Sequence, residues 1–428
     1  MPIFLNIFVN HPLFFPILVL FTFVNCIYFT FVYSFFACMV QKIHIAHYNY
    51  PLPESRIASY PLAERDASRL LFYEKGAILD KSFAEIPSLL PSGALLVFNN
   101  SRVVPARLFF TIEQGAIVEI LCLEPYEPTD YHLSFTSTTS VIWRTVIGNK
   151  KRWKGGKLSN AFLSAECIGR EDDTYLVRFE WNGNFAFSEI LELCGQVPIP
   201  PYLHRASETI DTERYQTVYA SLRGSVAAPT AGLHFSDNII SSLKSNHVSL
   251  AEITLHVGAG TFMPVKTVMI AQHLMHSEPF TVSLPFLRQL LSHTGEVIAV
   301  GTTSARCLES LYWFGIMCYM GIDPCFLPQW EAYSLKPVLS RKESLEQLIS
   351  YLQKREMTSF SGRTQIMVAP SYTFHLTNGL ITNFHQPRST LLLLIAAFIG
   401  EDWRRCYAHA LANGYRFLSY GDSSLLLP

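Results

Sequence analysis

Two hydrophobic rhythms divide the chain. Between Ala106 and Gly195 the pattern has a period of two: Tyr175, Val177, Phe179 and Trp181 are interleaved with Leu176, Arg178 and Glu180, and Val118, Ile120 and Cys122 alternate likewise. Such a period turns one face of a strand to a core and the other to water. Separated by Gly-, Asn- and Asp-rich turns, these strands predict a compact all-β unit, a small antiparallel barrel. Elsewhere the apolar runs are short and continuous: Ala94–Phe98, Val297–Val300, Ile366–Val368 and Leu380–Phe384. Runs of this kind predict strands buried on both faces. Helices are expected over Arg306–Phe314 and Leu391–Phe398. Pro105 and the extended Val197–Pro201 segment bound the alternating region. The expected architecture is an α/β main domain, discontinuous over residues 39–105 and 197–428, with an inserted all-β barrel domain over 106–196.

The first 38 residues stand apart. Met1–Gln41 contains no Asp, Glu, Lys or Arg, and Leu13–Met39 is almost wholly apolar. That length suits a transmembrane helix, whereas the basic start and small-residue cleavage site of a secretory signal are missing. A membrane anchor through residues 13–39 is one reading. The preferred one is translation from Met39, which leaves a cytoplasmic protein.

A chain of 428 residues buries enough surface for two domains. The formal net charge of -1 excludes a uniformly basic coat, so an RNA partner must be held by local basic patches. The nine cysteines form no CxxC pair and no zinc-finger spacing with histidine. They read as reduced thiols without a structural metal, which disfavours a zinc-dependent base-exchange enzyme.

Polar clusters follow the apolar strands. Asn99-Asn100-Ser101-Arg102 follows the first. In Val248–Val257, Ile253, Leu255 and Val257 share one face and Glu252, Thr254 and His256 the other; His256 stands just before Gly258-Ala259-Gly260. Thr302, Thr303 and Ser304 follow Val300 as candidate caps of the next helix, whose N-terminus also suits an anion. His385-Gln386-Pro387-Arg388-Ser389-Thr390 follows Phe384, with Ser389 or Thr390 as cap. Open α/β sheets bind ligands at the carboxyl ends of their strands, so these clusters are expected to converge. Gly224–Phe235 (GSVAAPTAGLHF), with Thr230 and His234, fits either a surface loop or a binding loop. Lys150–Lys157 (KKRWKGGK) is either a solvated turn or a phosphate-holding hairpin with Trp153 to stack a base.

These motifs in series closely resemble a known family. ERYQTVYA, GSVAAPTAGLHF, LHVGAGTF, MHSE, GTTSARCLES, LITNFHQPRSTL and YRFLSYGD occur in that order. Together they are similar to the S-adenosylmethionine:tRNA ribosyltransferase-isomerases of queuosine biosynthesis, from near Tyr50 to the C-terminus. The resemblance implies the same domain arrangement and a transferase that takes the ribosyl part of S-adenosylmethionine, a co-substrate. The acceptor is the aminomethyl group of 7-aminomethyl-7-deazaguanine at the tRNA wobble position; epoxyqueuosine, adenine and methionine are the products. No metal or prosthetic group is implied, and a monomer is expected.

Laid on the matched motifs, the chemistry needs a base, a proton donor and a deprotonated amine. His256 and His276 are the candidate acid–base groups, with Glu278 and Asp422 as carboxylate partners. Arg102, Arg306 and Arg388 suit oxyanions. Thr230, His234, Gly258, Gly260, Thr302, Thr303, Ser304, His385 and Ser389 complete the expected substrate site; Lys150, Lys151, Arg152, Trp153 and Lys154 form the expected RNA contact. Ser371 and Gln386 depart from the family pattern but leave the ionisable residues intact. An S-adenosylmethionine-dependent RNA methyltransferase and a non-catalytic RNA-binding scaffold are the alternatives.

Overall fold

The computed structural model describes residues 42–428 except 113–114, 172, 259–264 and 266. The apolar prefix of residues 1–38 and Gly260 therefore lie outside the described residues. Among the described residues, no helix is long and apolar enough to cross a membrane.

The continuous apolar runs become the centre of a ten-stranded mixed sheet. Four neighbouring strands, Ser249–Leu255, Leu95–Asn99, Val297–Val300 and Gly379–Asn383, run parallel. Their side chains divide between two cores. Leu95, Val97, Val297 and Ala299 face one, against Leu308, Leu311 and Leu348. Leu96, Phe98, Ile298 and Val300 face the other, with Ile239 and Leu243. Burial on both faces is why these strands lack alternation. Antiparallel strands Glu278–Ser283 and Ser359–Thr364 extend the sheet beyond Ser249–Leu255. On the other side lie Ser423–Leu427, Arg69–Glu74 and Ala77–Ser82.

Three local expectations are corrected. Ile366–Val368 is buried but is not a strand. The sheet position belongs to Ser359–Thr364, whose burial alternates, while the Met367 N–H bonds the Gln329 carbonyl in a loop. The helix expected from Arg306 begins at Thr302 and runs to Tyr319. Its cap is Gly301, not a hydroxyl of Thr302, Thr303 or Ser304; φ is +95° there, a conformation that favours glycine.

The alternating region forms a six-stranded antiparallel sheet over residues 107–181. It encloses a separate core containing Val118, Ile120, Cys122, Trp143, Val177 and Phe179. The unit is not all-β: the short helices Tyr131–Thr136 and Phe187–Cys194 contribute Phe135, Phe187, Ile190 and Leu191 to that core. Arg107 and Gln196 exchange backbone hydrogen bonds of 3.1 and 2.8 Å, so the segment leaves and returns side by side.

Candidate active site

Parallel pairing brings the carboxyl ends of the four central strands to one edge. An open cleft lies there. Its walls combine Ala227–Ala231, Val257, Gly301–Thr303, Thr382–Gln386, Ser389–Leu391 and Leu418–Ser419, with Tyr202 at one side. Thus Thr230, Thr302, Thr303, His385 and Ser389, far apart in sequence, share one pocket. Because Gly301 has no side chain to cap the helix, the first-turn N–H groups of Thr302–Tyr319 open at this wall, where the helix field favours negative charge. Ser304 turns inward instead, donating to the Val300 carbonyl at 2.8 Å. Ser389 does cap its helix, accepting from the Leu392 N–H at 3.2 Å.

A buried polar chain holds the cleft wall. Thr230 Oγ1 donates to Asn383 Oδ1 at 2.9 Å, and Asn383 Nδ2 lies 3.1 Å from His234 Nε2. The amide is the donor, so His234 Nε2 accepts and its Nδ1–H donates to Ser68 Oγ at 2.8 Å. Burial lowers the His234 pKa to about 3, aided by Arg416 and Arg65. Burial likewise lowers that of His385 to about 3. Both rings are neutral at physiological pH. His385 Nε2 lies 2.9 Å from Thr382 Oγ1. His234 therefore braces Asn383 and Thr230 from behind the wall. Asn383 was not anticipated, although it sits two residues before His385.

The second cluster joins three expected residues. Arg306 Nη1 donates to Glu278 Oε2 at 2.7 Å, and His276 Nε2 lies 3.1 Å from Glu278 Oε1. Arg306 and Glu278 are 3% and 0% exposed, while His276 retains partial exposure. Burial pushes the Glu278 carboxyl up, but Arg306 and His276 together hold it below the usual range. It is ionised and accepts only, so His276 turns a protonated Nε2 toward it. Arg306 stands one helical turn beyond Thr302 and also donates from Nε to the Ile366 carbonyl at 3.2 Å. Its Nη2 is buried without a hydrogen-bond partner among the described residues.

His256 adjoins this cluster, its backbone N–H donating to the Pro279 carbonyl at 3.1 Å. Its ring stacks on Tyr131 of the six-stranded unit, with centroids 4.1 Å apart and planes 4° from parallel. Burial lowers its pKa to about 4, although the Gly224 carbonyl near Nδ1 and Asp130 oppose that shift. The Gly224 contact falls short of hydrogen-bond geometry, leaving Nδ1 buried without a hydrogen-bond partner among the described residues. The close approach explains the glycine: a Cβ on Gly224 would lie 2.1 Å from His256 Nδ1. Burial disfavours the protonated form of His256, so its ring is neutral at physiological pH. Sequence alone gave no signal for Tyr131.

Other expected site residues have different surroundings. Asp422 accepts the Arg69 and Arg416 N–H groups, at 3.0 and 2.8 Å, and does not line the cleft. Burial raises its carboxyl pKa. Both oxygens thus serve the backbone. Gly258 follows Val257 and has open space beyond its α-carbon. Arg388 is exposed beside the cleft mouth with φ +55°, and Arg102 is exposed. Trp153 is corrected as a base-stacking residue: it is 3% exposed in the core of the six-stranded unit, and its indole donates to the Gly156 carbonyl at 3.1 Å. Lys150 lies over its ring, whereas Lys151, Arg152 and Lys154 are exposed.

Comparisons with known proteins accord with this pattern. The profile of the family described as "Queuosine biosynthesis protein" matches residues 45–426. A protein of Azoarcus sp. (strain BH72) is 37% identical over 390 residues, covering 90% of this chain and 98% of its own. One from Xylella fastidiosa (strain 9a5c) is 39% identical over 387 residues, covering 89% and 96%. Both are named S-adenosylmethionine:tRNA ribosyltransferase-isomerase. The crystal structure of S-adenosylmethionine tRNA ribosyltransferase from Thermotoga maritima is similar at 29% identity and a TM-score of 0.44, covering 89% of this chain and 99% of that one. On the family match and the identity along nearly the whole length of these relatives, the chain belongs to the queuosine biosynthesis protein family.

Proposed function

We propose that the chain transfers and isomerises the ribosyl moiety of S-adenosylmethionine onto 7-aminomethyl-7-deazaguanine at the tRNA wobble position. Epoxyqueuosine-tRNA, adenine and methionine are the products. The observation that carries this reading is the His276–Glu278–Arg306 chain, its ion pair buried, one helical turn from the cleft's open helix N-terminus, in a chain of this family.

In this reading the methionine carboxylate meets the N–H groups at Thr302 and Thr303, where helix field and hydroxyls favour an oxyanion. The sulfonium acidifies the hydrogens of the ribose 5′ carbon. His276, oriented through Nε2–H by Glu278, is the group that removes one of them. The ribose ring opens, adenine departs with a proton, the substrate amine adds, the carbon chain recloses onto the carbonyl freed by ring opening, and the resulting alkoxide displaces methionine from carbon to form the epoxide. Neutral His256 donates or accepts a hydrogen bond beside this centre, and His234 and His385 keep the cleft wall in place. Arg388 at the mouth and Lys151, Arg152 and Lys154 are phosphate contacts. The chain is organised as a discontinuous body of residues 39–105 and 197–428 with the unit 106–196 inserted. Separate cores and the Arg107–Gln196 pairing support that division.

Product analysis tests the reading. The protein is incubated with S-adenosylmethionine and tRNA carrying 7-aminomethyl-7-deazaguanine; epoxyqueuosine should form with equal amounts of adenine and methionine. Methylated tRNA with S-adenosylhomocysteine and no adenine would replace it by methyl transfer, and no turnover would favour the scaffold.

A further inference from the structure

Close to His256, two arginines are held side by side. Strands Ser101–Val103 and Leu222–Ser225 form a small parallel sheet whose register sets Arg102 opposite Arg223. Residues in register on neighbouring strands project to the same face, and both are exposed. The Arg102 side chain has no hydrogen bond or ion pair with another described residue. Arg223 comes no nearer to an acid than the 3.7 Å between its Nη2 and Glu192 Oε1, with both side chains well exposed. Like charges directly opposite one another oppose strand pairing, and the exposed Glu192 carboxylate at 3.7 Å offsets only part of that repulsion, from the Arg223 side.

The platform beneath them is rigid. Ser225 Oγ, fully buried, bonds Ser101 Oγ at 2.6 Å and accepts the Val257 N–H at 3.0 Å, fixing both strands to the end of Ser249–Leu255. The residue after Arg223 is Gly224, which abuts the His256 imidazole. The backbones that carry the two arginines are therefore held at a set spacing, one residue from the glycine that abuts His256. Paired forks of this kind match an oxyanion with several acceptor oxygens.

We propose that Arg102 and Arg223 together seat one backbone phosphate of the RNA substrate, placing the strand that carries the modified nucleotide over His256. This inference rests on the tRNA reading above. An anion bridging the pair relieves its repulsion, and the exposure of both side chains suits a polymer lying across the surface better than a small ligand sunk into the cleft. Such a contact positions the RNA without reading its sequence.

The test is binding of the full chain to an in vitro transcribed tRNA, followed by fluorescence anisotropy between 50 and 200 mM salt. R102Q and R223Q should each weaken binding roughly three- to ten-fold, and each should reduce the slope of log affinity against log salt by about 1. R223K, which keeps the charge, should retain the wild-type slope. Thermal midpoints of R102Q and R223Q should equal or exceed that of the wild type, because a like-charge contact has been removed. Unchanged affinity and slope in R223Q, with the wild type binding normally, would overturn the phosphate seat alone. Absence of binding by the wild type would instead remove the tRNA reading and this inference with it.

Discussion

Removing Arg306 tests whether Glu278 is held as an ionised partner for His276. In Arg306→Met, Glu278 stays 0% exposed and loses the guanidinium now 2.7 Å from it. With charge centres about 4 Å apart and an effective dielectric near 20, the lost attraction is about 4 kcal/mol. This agrees with the roughly 3–5 kcal/mol seen when one partner of a buried pair is removed. The Ile366 carbonyl also loses its 3.2 Å donor. Proton uptake by Glu278 limits the damage. From an unfolded value near 4.3, neutralising the group at pH 7 costs about 1.4 kcal/mol per pH unit, or about 4 kcal/mol; at pH 5 it costs about 1 kcal/mol.

The signs follow from the direction of each shift. In the wild type the carboxyl is depressed, so its stabilisation is present above the unfolded value and disappears as pH falls through the folded value. In the variant the folded value rises, and the penalty grows with pH above the unfolded value. Urea unfolding by tryptophan fluorescence at pH 5, 6 and 7 should show a deficit of about 4 kcal/mol at pH 7 shrinking to about 1–2 kcal/mol at pH 5. The double variant Arg306→Met/Glu278→Met should recover most of the loss, since an apolar replacement of a whole buried pair is often nearly neutral. A deficit below about 1 kcal/mol at pH 7, or one independent of pH, would refute an ionised Glu278 held by Arg306.

His276→Asn should keep the fold and tRNA binding while lowering kcat by about 10²–10⁴-fold; normal turnover in steady-state adenine release would move the proton transfer elsewhere. Gly224→Ala places a methyl group where His256 Nδ1 now approaches, displacing the ring from Tyr131. Turnover should fall by about 10²-fold, as for misplacements of about 1 Å, and wild-type kinetics would show the ring to be dispensable. Asp422→Ala leaves two part-buried N–H groups without their acceptor and should destabilise by about 1–3 kcal/mol in total. The shape of its pH–rate profile should match the wild type, and loss of one limb of that profile would restore Asp422 as an acid–base group.

Much of the scaffold is local information. Val297–Val300 reads as a doubly buried strand because each of its residues must enter one core or the other, and the alternation in Thr174–Trp181 reflects a sheet with one packed face. The polar cluster after each strand is visible in the same way. The convergence of Thr302 and His385 then follows from parallel pairing, a rule of sheet construction. Ile366–Val368 shows the limit: burial was legible, but backbone pairing was already taken by Ser359–Thr364.

The sequence by itself determined the strands, their buried faces, and the family signature. It could not determine which charged or aromatic side chains meet. Arg306 and Glu278 are 28 residues apart, and only the packing of Thr302–Tyr319 against Glu278–Ser283 joins them in an internal ion pair. The same packing decides that both oxygens of Asp422 bind backbone, that Trp153 faces inward, and that Tyr131 covers His256. Strand propensity and burial depend on neighbours a few residues away and leave a periodic trace. A partner's identity depends on contacts between remote segments, for which one-dimensional spacing carries no period, so tertiary structure alone fixes it.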